Sequence, residues 1–149
     1  MASDLLKAGI PINGVGIQSH VTNNKMLDKE AFNKDNIQNY PIYKTIQAYQ
    51  KLGLKVRITE MDVLLYEDKL PSPKEEQLKK QANTYSNYLL ACVLSSNCTG
   101  FSVWNISDNH VWYGDNVPGK MENYHPNIFD RNYKPKPAYF ALLKTLQDN

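Results

Sequence analysis

With 149 residues, the chain has the length of one ordinary domain or of part of a larger one. It is 42% apolar and 21% charged with a net charge of +2 and no basic cluster or stripe, so composition supports no nucleic-acid or membrane-surface role. The longest apolar run, residues 88–94, falls far short of the roughly 18 residues that a membrane span needs.

Residues 4–8 followed by Gly9 read as the last turns of a helix with glycine just past its end. The segment before them has neither a basic n-region nor an apolar h-region and is not expected to be a signal peptide. After a turn at residues 11–13, residues 14–20 (Gly-Val-Gly-Ile-Gln-Ser-His) read as a glycine-thinned strand with Gln18 and His20 on one face at its exit. Residues 21–39 are polar and irregular: a long loop with room for one helical turn around Asp28 to Phe32. Residues 41–52 predict a helix with proline in its first turn, an apolar stripe of Ile42, Ile46 and Tyr49, and Gly53 as its end.

Residues 55–63 (Lys-Val-Arg-Ile-Thr-Glu-Met-Asp-Val) predict a strand of alternating side chains. Strict alternation puts Val56, Ile58, Glu60 and Asp62 on one side, two apolar residues followed by two acids at the exit. A carboxylate where a buried strand meets its loop is costly unless it is paired or used. A second loop follows. Ser72, Pro73 and Glu75 then form a good helix start with a capping box, and Leu78, Ala82, Tyr85, Leu89 and Val93 carry that helix for about twenty residues. Residues 99–106 predict a third strand and residues 107–130 a third long loop, with Asp108 as a turn or loop-bracing residue. Residues 135–146 predict a last helix whose buried face is Tyr139, Leu142, Leu143 and Leu146.

Strands separated by helices imply an α/β fold with parallel pairing and right-handed crossovers. In all three units the loop leaving the strand is longer than the loop entering it, as when a site lies at the strand C-termini. Three strands cannot close a barrel, so the chain is expected to be part of a larger fold. Cys92 and Cys98 could form a bridge worth roughly 2–3 kcal/mol in the chain-entropy model or remain two buried thiols, and spacing does not choose between these. The sequons at Asn97 and Asn105 are compatible with secretion but too common to argue it. Ten Tyr, four Phe and two Trp suit carbohydrate stacking and equally suit an ordinary core.

Four stretches carry a resemblance. They are Gly14-Val-Gly-Ile-Gln-Ser-His20, Ile58-Thr-Glu-Met-Asp62, Val103-Trp-Asn-Ile-Ser-Asp108 with Trp112 beyond it, and Phe129-Asp-Arg-Asn-Tyr-Lys-Pro-Lys-Pro-Ala-Tyr139. In this order and at these spacings the chain resembles the C-terminal part of a family 10 glycoside hydrolase, the endo-β-1,4-xylanases. The resemblance implies a (β/α)8 TIM barrel in which residues 1–149 are part of the catalytic domain and the three strands are the sixth to eighth. It implies Glu60 as the catalytic nucleophile, His20 as its hydrogen-bonding partner and Asp62 as support for the histidine. Gln18, Trp104 and Trp112 become substrate-binding residues around the sugar next to the scissile bond, and Cys92–Cys98 a disulfide. The implied substrate is xylan or a xylo-oligosaccharide, with no cofactor and no metal, in a secreted enzyme whose signal peptide is not in this chain.

The pattern departs at Asn105, where the family usually has glycine, and at Val111 and Tyr113, where serine and arginine are common; these bear on sugar preference. The family's acid/base glutamate, in a W-D-V-x-N-E motif at the fourth strand, has no counterpart here. The first barrel half is therefore required, and the isolated chain is expected to be inactive. The alternatives are a hydrolase of another β-1,4-glycan, and a non-catalytic carbohydrate-binding fragment.

Overall fold

Helices alternate with parallel strands in the computed structural model, which describes residues 1–22, 27–65, 75–112 and 123–149. In chain order these are α1 (Ala2–Lys7), β1 (Gly14–Ile17), β2 (His20–Val21), α2 (Pro41–Lys51), β3 (Lys55–Val63), α3 (Glu75–Val93), β4 (Cys98–Val103) and α4 (Pro137–Gln147). None of the helices described is long and apolar enough to cross a membrane. Strand β3 is central. β1 and then β2 run parallel along one of its edges, β4 parallel along the other, and the sheet does not close.

Local chemistry accounts for most of the boundaries. Helix α2 starts on Pro41, whose missing N–H costs nothing in a first turn, and stops before Gly53, which takes a left-handed φ of 73°. Its stripe is buried as expected: Ile46 is inaccessible and Ile42 nearly so, both against Val56, Leu90 and Ala91. Each such side chain contributes roughly 1.5–3 kcal/mol by leaving water. The expected capping box at Ser72 and Pro73 lies outside the described residues.

Several expectations are corrected. The first strand is broken in two, because Ser19 adopts φ 66° and separates β1 from β2. No helical turn forms at residues 28–32. Side chains of α3 satisfy that backbone instead: Thr84 Oγ1 accepts the N–H of Asp28 at 2.9 Å and Asn87 Oδ1 that of Phe32 at 2.7 Å. A single 3-10 turn comes later, at Ile37–Asn39. In α4 the face packed on α3 is Ala138, Ala141, Leu142 and Thr145, with a 2.9 Å hydrogen bond between the Ser86 and Thr145 hydroxyls, while Leu143 and Leu146 are exposed. This helix is apolar on two flanks, and the described residues cover only the one lined by small side chains. Val93, expected in the α3 stripe, is likewise exposed.

The correction that matters most is inside β3. Val56, Ile58, Met61 and Val63 are all buried, and Ile58, Met61 and Val63 share one cluster with Tyr85 of α3. The helix-facing positions therefore step by two, then three, then two. Pairing with β4 shows the same irregularity, with register shifts between Val56 and Ile58 and between Ile58 and Met61. An extra residue at Thr59–Glu60 is a β-bulge, which inverts the side-chain alternation. Val56 and Ile58 thus face the helices, whereas Glu60 and Asp62 turn to the opposite, open face. Glycine keeps that face clear: a Cβ at Gly16 would lie 3.1 Å from Thr59 Cγ2.

Candidate active site

The bulge delivers Glu60 to the exit rim of the sheet, and the Ser19 kink delivers His20 to meet it. Beyond that kink the chain pairs again with β3, in a register that sets His20 directly beside Asp62. His20 Nε2 lies 3.3 Å from Glu60 Oε2, and His20 Nδ1 lies 3.0 Å from Asp62 Oδ1, close but off the line of a straight hydrogen bond. Only 1% of the Asp62 side chain is exposed, against 27% of Glu60. The buried acid is the anchor and the half-open one is free to meet a ligand. A neutral imidazole can donate to one of these carboxylates, an imidazolium to both.

Both tryptophans reach this point. The Trp112 ring is tilted against His20 with centroids 4.8 Å apart, and Trp104 meets the histidine edge-on at 6.1 Å. Each keeps nearly half its surface in solvent, 46% for Trp104 and 48% for Trp112, so their faces are available to a ligand. The Trp112 indole N–H also donates to Asp62 Oδ2 at 2.6 Å. Gln18 is exposed at the same rim, between β1 and β2. Of the residues singled out in the sequence, His20, Glu60, Asp62, Trp104 and Trp112 thus form one cluster with Gln18 at its edge. Tyr113 lies outside the described residues. Cys92 and Cys98 are disulfide-bonded at the opposite, entry end of the sheet.

A second constellation braces the loop that carries Trp112. Asp108, fully buried, accepts the Asn127 N–H at 2.8 Å through Oδ1 and the Lys136 ammonium at 3.1 Å through Oδ2, with His125 Nδ1 at 3.6 Å. Lys136 Nζ donates further to the His125 carbonyl at 3.0 Å, and Gln81 Nε2 ties that carbonyl to the Val63 carbonyl. Burial pushes the Lys136 ammonium below the ordinary lysine range, while the Asp108 carboxylate pulls the other way. Asp108 is a brace, as expected. The partnership with Lys136 was not foreseen; its one sequence signal is a lysine set between two prolines, which restrict the backbone from which its side chain leaves.

Burial pushes the Tyr85 hydroxyl above the ordinary tyrosine range, and it donates to the Pro126 carbonyl at 2.8 Å. Tyr85→Phe removes one of the two donors to that carbonyl, leaving the Val63 N–H at 3.2 Å, and is expected to cost about 0.5–1.5 kcal/mol, read by equilibrium denaturation.

Comparison with known proteins places this geometry. The family profile for glycosyl hydrolase family 10 matches residues 1–145. Endo-1,4-beta-xylanase B of Neocallimastix patriciarum is 38% identical over 145 residues, covering 97% of this chain and 14% of the relative. Endo-1,4-beta-xylanase A of Caldicellulosiruptor saccharolyticus is 35% identical over 147 residues, covering 95% and 40%. Among solved structures, native xylanase 10B from Thermotoga maritima superposes with a TM-score of 0.74 at 31% identity, covering 99% of this chain and 40% of that one. The chain therefore spans two-fifths or less of the length of each of these proteins.

Proposed function

This chain belongs to glycosyl hydrolase family 10, and from that premise we propose that residues 1–149 form the C-terminal part of the catalytic domain of a secreted endo-1,4-β-xylanase. Its open parallel sheet is part of a (β/α)8 barrel, strands six to eight with their helices. The observation that carries the reading is the position of Glu60, held at the rim by His20 at 3.3 Å, with two half-exposed tryptophans set against that histidine.

The mechanism is double displacement. A Glu60 carboxylate oxygen attacks the anomeric carbon of a xylosyl unit, and the glycosidic C–O bond breaks as an acid from the first barrel half protonates the leaving oxygen. That acid stands about 5–5.5 Å from the nucleophile in a retaining enzyme. A water then loses its proton to the same residue and attacks the glycosyl–Glu60 ester, releasing a product of retained configuration. Asp62 fixes His20, and His20 fixes the Glu60 rotamer. Trp104 and Trp112 offer faces to the C–H surfaces of the sugar, and Gln18 offers an amide to its hydroxyls. Two carboxyl groups suffice, without metal or cofactor. The Cys92–Cys98 bridge suits an oxidising, extracellular setting. The first barrel half closes the sheet beyond β4 and covers the second apolar flank of α4.

The test is separation and completion. The 149 residues alone are expected to give no substantial hydrolysis of xylan; the barrel completed by its N-terminal part is expected to hydrolyse it with retention, read from the first anomer by NMR. Robust turnover by the isolated chain overturns the division of labour. Faster cleavage of cellulose oligomers than of xylan oligomers by the completed barrel moves the assignment to another β-1,4-glycan.

A further inference from the structure

Trp112 stands where an aromatic wall is expected, yet its contacts go beyond a wall. Its indole N–H is spent on Asp62, at 2.6 Å from Oδ2, and its ring leans on His20 at 4.8 Å. Asp62 in turn presents Oδ1 to His20 Nδ1 at 3.0 Å, and the far nitrogen of that ring lies 3.3 Å from Glu60. A chain of three contacts therefore joins Trp112 to the carboxylate at the rim. We propose that Trp112 is a positioning residue for Glu60, acting through Asp62 and His20, an inference that rests on the reading of Glu60 as nucleophile.

The physical case starts from Asp62. Its side chain is buried and its two oxygens are used in two directions, Oδ2 toward the indole and Oδ1 toward the imidazole. An indole nitrogen is a donor only. Donating to one oxygen, it helps hold the plane of the Asp62 carboxylate with the other oxygen toward His20. The contact at Oδ1 sets His20 beside Asp62 but is angled, so where Nε2 points also depends on how firmly the carboxylate is held and on the ring contact. Losing the indole N–H removes one of the holds on the Asp62 carboxyl and so loosens the carboxylate against which the imidazole is placed. Misplacement passes to Glu60. The wall function, by contrast, needs only the aromatic face.

The two roles separate experimentally. In the completed enzyme, with an aryl β-xylobioside as substrate, Trp112→3-benzothienylalanine keeps the size and face of the ring and removes only the N–H. The expected result is a kcat lower by about 10- to 100-fold, the usual consequence of a displaced catalytic group, with KM within about threefold. Trp112→Phe is expected to lose kcat similarly and to raise KM as well. In an Asp62→Asn background the benzothienyl variant is expected to cost little more, because the two changes break one chain. An unchanged kcat, a loss confined to KM, or additive effects in the double variant each overturn the proposal. Glu60→Ala, run beside them, keeps the two readings apart: if it abolishes turnover while the benzothienyl variant behaves as wild type, only the positioning role falls. If Glu60→Ala retains turnover, the nucleophile reading falls first.

Discussion

Glu60→Ala in the completed barrel is expected to abolish turnover of xylan, and azide is expected to restore cleavage of an activated aryl β-xylobioside with an α-glycosyl azide as product. Removing a covalent nucleophile costs on the order of 10^5 in rate, which at 1.36 kcal/mol per decade is about 7 kcal/mol of transition-state stabilisation. The alanine leaves a gap at the rim beside His20 that a small anion can enter. Azide then attacks from the face that Glu60 occupied, in one displacement rather than two, so configuration inverts. A β-azide would instead mean that azide entered from the leaving-group side with the nucleophile still working, and Glu60 would lose its role. So would a kcat within about tenfold of wild type.

The residues of this cluster were legible in the sequence, but the geometry that makes them a cluster was not. Strict alternation along residues 55–63 names Glu60 and Asp62 as neighbours and then puts them on the wrong face, with Val56 and Ile58. The bulge at Thr59–Glu60 reverses that face, and nothing in Ile-Thr-Glu-Met announces it, since a bulge is set by pairing with β4 rather than by local propensity. The Ser19 kink is hidden for the same reason: serine has no preference for φ 66°, and the conformation is imposed by the register of His20 against Asp62. Helix α4 fails differently. Its Leu143 and Leu146 obey helical periodicity, but periodicity reports that a flank is apolar and not which part of the fold covers it. Elements whose ends carry their own chemistry, such as Pro41 and Gly53 around α2, were placed to within a residue.

The buried ion pair was the least legible feature, and it carries the second large effect. Asp108→Ala leaves the Lys136 ammonium 6% exposed with no carboxylate at Oδ2 and removes the acceptor of the Asn127 N–H. Breaking a buried pair from one side costs about 3–5 kcal/mol, because the surviving charge keeps its desolvation penalty and loses its compensation. Replacing both partners by apolar side chains of similar size, Asp108→Leu with Lys136→Met, is expected to recover much of that loss. The pH dependence separates this from simple loss of packing. Burial already holds Lys136 below the ordinary lysine value of 10.5 in the folded state, and the Asp108 carboxylate is the strongest influence raising it. Without Asp108 the folded protein holds that proton less tightly than the unfolded chain does. Between the lowered folded value and 10.5 the unfolded state therefore binds more protons, so stability of Asp108→Ala must rise with pH through that window. Chemical denaturation of the completed enzyme at a series of pH values reads the slope, which should be steeper than in wild type. If the single variant loses stability equally at every pH, or if the added Lys136→Met leaves the slope in place, the loss comes from packing and not from a stranded charge.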